Sequence, residues 1–143
     1  EIAFGVERHR YCLIDNAYRE DDERVWRKFP PTVAPIQVAV FPLMGKPELV
    51  APAKKIHHSL MDEGFITYYD QGGSIGRRYR RQDEIGTPFC VTVDYDTLED
   101  DTVTVRDRDS MSQVRVKTSE LAGLLRELIQ GKRAFKSLQG LTT

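Results

Sequence analysis

The sequence predicts an α/β fold with a mixed sheet of about five strands and about three helices, and three observations predict it. Short β-rich apolar runs at residues 36–41 and 89–94 and a further short strand at 67–70 are separated by helix-length segments, the β-α-β-α-β order of a parallel core whose neighbouring strands need a crossover. Residues 102–106 and 112–117 alternate polar with apolar side chains on either side of a turn at 107–110, as half-exposed hairpin strands do. Leu121, Leu124, Leu125, Leu128 and Ile129 then recur at helical spacing behind Thr118-Ser119-Glu120, the pattern of a capped amphipathic helix that ends before Gly131.

Taken in order, residues 1–4 read as the end of a strand and Gly5 as a turn. Tyr11, Ile14 and Tyr18 give residues 6–19 a helical period. The charged run at 20–28 reads as a helix end or linker, and Pro30, Pro31 and Pro35 place a boundary near residues 28–35. The chain therefore divides into residues 1–30 and residues 31–143, with Trp26 and Phe29 packing one against the other. The opening at Glu1, in mid-pattern and without an initiating methionine, reads as a piece of something longer. Residues 36–41 are continuously apolar up to Pro42, as in a strand buried on both faces. In residues 48–64 Leu49, Ala53, Ile56 and Leu60 share a helical face and Gly64 is the stop, which puts Pro52 in the first turn.

Composition narrows the function. With 143 residues, 40% hydrophobic and 30% charged, the chain buries one ordinary core. A formal net charge of −1 excludes a protein that coats nucleic acid through overall charge, so any RNA contact must use a local patch. Cys12 and Cys90 lie far apart among apolar neighbours and read as reduced buried thiols in a cytosolic protein. No run is long and apolar enough to span a bilayer and no signal-peptide pattern opens the chain; a soluble, cytoplasmic protein without membrane contact is expected.

Residues 73–86 carry the clearest chemistry. Gly72 and Gly73 turn the chain, Ser74 is a good N-cap, and Gly86 closes a helix bearing Arg77, Arg78, Tyr79, Arg80 and Arg81. Arginine forks suit phosphate or guanine edges, and a tyrosine face stacks an unpaired base. A solvated helix whose charges pair with Asp83 and Glu84 would show the same run. His57 and His58 are adjacent, so on a helix they point about 100° apart, and no cysteine or carboxylate completes a metal site. Ser59, Ser74 and Ser110 lack triad partners.

The run from Gly73 to Gly86, the segment Asp94-Tyr95-Asp96, and Val105-Arg106-Asp107-Arg108-Asp109-Ser110-Met111 with Gln113-Val114-Arg115 closely resemble the C-terminal anticodon-binding domain of glycyl-tRNA synthetases. The resemblance is to the homodimeric archaeal and eukaryotic type and covers roughly residues 33–130. It implies a class II anticodon-binding fold in which Arg77, Arg78, Tyr95, Asp96, Asp107 and Arg108 face the anticodon, with Asp94 and Asp109 as further acceptors. Glycine anticodons carry two cytosines, whose exocyclic amines suit carboxylates and whose acceptor atoms suit arginine. A tight turn held by local hydrogen bonds and surface ion pairs also explains Asp107 to Ser110.

Gly5-Val6-Glu7-Arg8 resembles motif 3 of class II synthetases. That likeness implies that Gly5, Val6, Glu7 and Arg8 bind ATP, with Arg8 the catalytic arginine on the γ-phosphate. It also implies that Glu1 and Gly5 serve the glycine pocket, with Ile2 and Ala3 standing where the family usually has proline and serine. ATP, Mg²⁺, glycine and glycine tRNA follow as cofactors and partners of a homodimeric enzyme, with no metal site in this segment. Motifs 1 and 2 are not in this sequence, so these residues cannot form the adenylate alone. The expectation is glycine–tRNA ligase. A non-catalytic nucleic-acid-binding relative, such as a polymerase accessory subunit, and a protein-interaction domain solubilised by its basic helix are the alternatives.

Overall fold

The structure, a computed structural model, describes residues 3–138. Helix α1 (Val6–Ala17) leads into an antiparallel pair, β1 (Tyr18–Glu20) and β2 (Val25–Arg27). There follow β3 (Val38–Pro42), α2 (Pro47–Asp62), β4 (Thr67–Tyr69), α3 (Ile75–Ile85), β5 (Phe89–Val93), α4 (Tyr95–Asp100), β6 (Thr102–Asp107), β7 (Gln113–Lys117) and α5 (Thr118–Ile129), with a 3-10 turn at Phe135–Leu138. The sheet order is β4-β3-β5-β6-β7. Strand β3 pairs in parallel with β4 and β5, while β5, β6 and β7 pair antiparallel. The α/β fold with a mixed five-stranded sheet expected from the sequence is the fold observed.

Every residue of β3 and β5 is buried, which is why both read as unbroken apolar runs. The pleat sorts their side chains. Val38, Val40, Phe89, Val91, Val93, Val103, Val105 and Val114 meet Ala53 and Leu60 of α2 and Leu121, Leu125 and Leu128 of α5 on one face. On the other face Ala39, Phe41 and Cys90 meet Ile75 and Tyr79 of α3. Each valine taken wholly out of water contributes about 1.5–3 kcal/mol, so the α2/α5 face is the larger source of cohesion.

Several local expectations are corrected. Residues 20–28 are no linker: they hold the turn and second strand of a hairpin, whose turn is shaped by Asp21 accepting from the Glu23 and Arg24 amides at 2.9 and 2.8 Å. Pro47 takes the first turn of α2, so Pro52 lies inside the helix. Helix α5 starts at Thr118 without a side-chain cap. Helix α4 was not foreseen, because at six residues it is too short to show a period. Ala3 and Phe4 are not strand, and Glu1 and Ile2 lie outside the described residues. Cys12 is exposed on α1, whereas Cys90 is buried as expected.

The hairpin is fastened to the sheet by buried charge. Asp83 of α3 is 0% exposed. It accepts from Arg24 at 3.0 Å and, through both oxygens, from Arg106 of β6 at 2.9 and 3.1 Å. Arg24 also donates to the carbonyls of Arg108 and Asp109 at 2.6 and 3.0 Å. Gly86 closes α3 in the left-handed region at φ 95°. A side chain there would strike the Phe29 ring and approach the Arg27 carbonyl to 2.9 Å, so glycine serves both the helix stop and the hairpin contact.

Replacing Asp83 with asparagine strands two buried guanidiniums, and such a loss costs about 3–5 kcal/mol, a large share of the roughly 5–15 kcal/mol that holds a domain. Chemical denaturation of Asp83→Asn is expected to show a shift of that size; a shift below about 1 kcal/mol, the level of an exposed pair, would show that the pair is not closing the seam. Burial pushes the Cys90 thiol up to about 12, against a smaller opposing pull from Arg106. Titration with an aromatic disulfide at about pH 8, near the ordinary thiol pKa, is expected to modify Cys12 in the native chain and Cys90 only after denaturant is added.

Candidate nucleic-acid interface

Because β3, β4 and β5 are parallel, their carboxyl ends share one edge of the sheet. The chain leaves β3 through α2 to reach β4 on one side, and returns through α3 to reach β5 on the other. Loops diverging at such a switch point open a crevice at the strand ends, the place where open α/β sheets hold ligands. Three segments frame it here: residues 43–46 after β3, residues 70–74 after β4, and the start of α4 after β5.

The start of α4 is tightly held. Asp94 accepts from the Thr97 amide at 3.1 Å and Thr97 Oγ1 accepts from the Asp94 amide at 3.1 Å, a reciprocal cap. Arg115, reaching across from β7, donates to both Asp94 oxygens at 2.7 and 3.1 Å. Burial by itself raises the Asp94 pKa, but the bonds from Arg115 and Thr97 outweigh it and hold the carboxyl below the usual carboxylate range. Tyr95 and Asp96 are thereby set at the crevice. Tyr95 is 37% exposed, its hydroxyl 3.9 Å from Met44 Sδ and its ring 5.3 Å from Lys46 Nζ. Asp96 is exposed, 3.5 Å from Arg115.

Helix α3 runs back along the sheet, so its amino end lies at the same edge. Ser74 caps it by accepting from the Arg77 amide at 3.4 Å. Arg77 and Arg80 are exposed beside a surface cavity of about 600 Å³ that Gly72, Gly73, Ser74 and Gly76 also line. Arg81 is paired with Asp70 at 2.8 Å. Tyr79, read in the sequence as a stacking face, lies against Phe41, and its hydroxyl is 2.6 Å from Thr92 Oγ1.

Two arginines do not stand where the sequence reading put them. Arg78 is 1% exposed, donating to the carbonyls of Pro42, Leu43 and Asp70. Arg108 is 3% exposed, donating to the Gly86 and Phe29 carbonyls at 2.8 and 3.0 Å and to Asp109 at 2.9 Å. Neither guanidinium is free to meet a base, which corrects the expectation of direct contact for both. Asp107 lies opposite Phe89 in the register, five residues before Asp94, or about 16 Å at 3.3 Å per residue. Its carboxylate accepts from the Ser110 amide and hydroxyl at 2.9 and 2.7 Å, as the tight-turn reading had it. Arg77, Tyr95 and Asp96 thus lie toward the edge where the parallel strands end, and Asp107 and Arg108 toward the opposite edge. Met44 and Lys46 were missed, since only the polarity of the sheet reveals that a loop fifty residues upstream meets Tyr95.

At the other end of the chain, Arg8, Val6 and Glu7 are exposed in the first turns of α1. Gly5 has ordinary extended backbone at φ −80°, and nothing stands within 4 Å of where a Cβ would be. Among the described residues no group of three or more His, Cys, Asp or Glu is placed to hold a metal ion.

An open, mixed α/β sheet with its crevice at the parallel strand ends, lined by an exposed tyrosine, cations and a carboxylate, is the architecture of a ligand-binding module. The anticodon binding domain family matches residues 37–128, and this chain belongs to that family. Similarity extends beyond those residues. The chain is 48% identical to a glycine–tRNA ligase of Methanothrix thermoacetophila over 139 residues, 94% of this chain and 24% of that protein. It is 48% identical to one from Methanocaldococcus jannaschii over 91% of this chain and 22% of the relative, and 51% identical to one from Thermococcus sibiricus over 92% and 23%. The chain spans about a quarter of the length of these relatives.

A carboxyl whose folded pKa is depressed stabilises the fold above its unfolded value, about pH 4, and loses that contribution as pH falls through the folded one. Asp94→Asn is therefore expected to be less stable than the parent near neutral pH and to converge with it in acid. Denaturation midpoints of the two chains from about pH 7 to pH 2 check this; a gap independent of pH would remove the Arg115–Asp94 account.

Proposed function

We propose that the chain is the anticodon-reading part of a glycine–tRNA ligase, together with the motif 3 end of its catalytic domain, divided at about residue 30. The observation that carries this is the span of the similarity. Near-half identity to glycine–tRNA ligases runs over 139 residues, 94% of this chain, well outside the 37–128 match, and so reaches into α1. A nucleic-acid-binding relative that needs no ATP has no use for Arg8 and Gly5.

In this reading Arg77, Tyr95 and Asp96 meet the anticodon. Tyr95 stacks a splayed base, and Asp96 and Arg77 supply the acceptor and donor that a cytosine edge requires. Asp107, at the end of β6 opposite the start of β5, lies too far across the sheet to share one base with them. In the whole enzyme ATP supplies the adenylyl group that activates the glycine carboxylate. The bare Gly5 backbone and exposed Arg8 suit a phosphate, with Val6 and Glu7 beside them, and the motif 3 resemblance assigns Glu1 to the glycine pocket. Mg²⁺ ligands are then provided by other residues of the enzyme. Exposed Val6, Tyr11, Leu13 and Ile14 are what α1 would lay against the remaining catalytic domain, through which the homodimer forms. Among the described residues no helix is long and apolar enough to cross a membrane, and a cytoplasmic site of action fits tRNA charging.

The test is binding of the 143-residue chain to a glycine tRNA and to the same tRNA with both anticodon cytosines replaced, at equal salt so that phosphate attraction is matched. The intact anticodon is expected to bind at least about tenfold more tightly, and Arg77→Ala and Tyr95→Ala to lose about 1–3 kcal/mol each of that preference. Equal binding of the two RNAs would overturn the reading.

A further inference from the structure

Arg78 is the largest fully buried side chain among the described residues, yet the ion pairs among them do not include it. Asp70, the acid on the neighbouring loop, has its carboxylate engaged by Arg81 at 2.8 Å and by the Gly72 amide at 2.8 Å. The two terminal nitrogens of Arg78 donate to carbonyls instead, Pro42 at 2.5 Å, Leu43 at 3.1 Å and Asp70 at 3.4 Å, with the Phe41 ring 5.6 Å away, while its buried Nε has no partner among the described residues. These carbonyls stand where the chain leaves β3 and β4. Burying a guanidinium without a carboxylate is costly, so a site that keeps one has a use for its geometry.

That geometry joins the two loops framing one side of the crevice. Residues 43–46 carry Met44 and Lys46 to Tyr95, and residues 70–74 lead through Gly73, at φ 75°, into the cap that sets Arg77. No backbone hydrogen bond links the two loops directly; the nearest ladder bond is Asp70 N–H to the Val40 carbonyl at 3.3 Å. One planar fork can hold three carbonyls on two loops in a fixed arrangement, whereas the three donors of a lysine ammonium radiate from a single point on a flexible stem and set the spacing less rigidly.

We infer that Arg78 is the positioning residue of this interface: buried beneath the crevice, it fixes the loop bearing Lys46 and the loop leading to Arg77 at the spacing needed to read an anticodon, without touching RNA itself. The role rests on the anticodon reading proposed above. Its signature is a loss of discrimination rather than of attraction, because exposed Arg77 and Arg80 still draw phosphate when the loops are free.

The experiment compares the parent chain with Arg78→Lys and Arg78→Gln, measuring thermal stability and affinity for the native and cytosine-replaced glycine tRNAs at matched salt. In Arg78→Gln the affinity ratio is expected to fall by about tenfold or more, since a misplacement of 1 Å in a positioned site costs up to about a hundredfold. Affinity for the replaced tRNA is expected to hold, and Arg78→Lys to recover part of the ratio. A folded Arg78→Gln with the parent's ratio overturns the inference, as does a parallel loss for both RNAs, which marks a merely structural arginine. Should the variants fail to fold, hydrogen exchange of the parent decides: slow exchange at the 43–46 and 70–74 amides in the free chain supports preformed loops, and free exchange there that slows only with tRNA overturns them. If the parent itself shows no anticodon preference, the proposed function fails, and with it the substrate that Arg78 would serve.

Discussion

Asp83 is the point on which the architecture closes. A carboxylate with no solvent access is tenable only when opposite charge reaches both oxygens, and Arg24 and Arg106 do so from different parts of the chain. One comes from the hairpin after α1 and the other from the sheet, while Asp83 itself rides on α3. Three elements distant in sequence are therefore held at one locus. Two cations to one anion would be unbalanced, and the terminal nitrogens of Arg24 also donate to the backbone carbonyls of residues 108 and 109, while its Nε has no partner among the described residues. Arg108 continues the seam by holding the Gly86 and Phe29 carbonyls.

The sheet's polarity then separates two chemistries. At the edge where β5 begins, charge is buried and internally satisfied, and the side chains there join the hairpin to the core. At the edge where the parallel strands end, charge is exposed or braced from behind, and the backbone turns away to leave a crevice. Residues of the same types serve opposite ends: Arg106 and Arg108 close a seam, while Arg115 aligns the start of α4. Type alone does not distinguish them. Their register along β6 and β7 does.

Much of the fold was legible because local and global preferences agree. Continuous apolar runs became β3 and β5, alternating runs became β6 and β7, and the glycines at 64 and 86 ended α2 and α3. The hairpin at 18–27 was not legible, since its charged residues look like a solvated linker until Asp83 is there to receive Arg24. Helix α4 escaped because its signal is one cap, Asp94, that also reads as a strand end. Arg77, Tyr95 and Asp96, expected at an exposed surface beside turn residues, are exposed in the structure. Arg78 and Arg108 were misread for a single physical reason: a run of arginines carries no mark of which members turn inward, and inward placement is decided by carbonyls that only the tertiary fold assembles.

That division of the arginine run bears on how a chain of net charge −1 meets a polyanion. Of the four arginines at 77, 78, 80 and 81, one is buried against carbonyls and one is paired with Asp70. Arg77 and Arg80 remain exposed, and the exposed Asp96 and Asp100 of α4 bring negative charge to the same molecule. Non-specific attraction grows with the number of phosphates neutralised, so two unpaired arginines flanked by carboxylates give a weak general pull. Carboxylates are unfavourable near phosphate and favourable near an exposed amine. On the anticodon reading proposed above, such a surface would discriminate by repelling backbone while accepting a base edge that donates, and its selectivity would depend on how rigidly Tyr95, Asp96 and Arg77 are held.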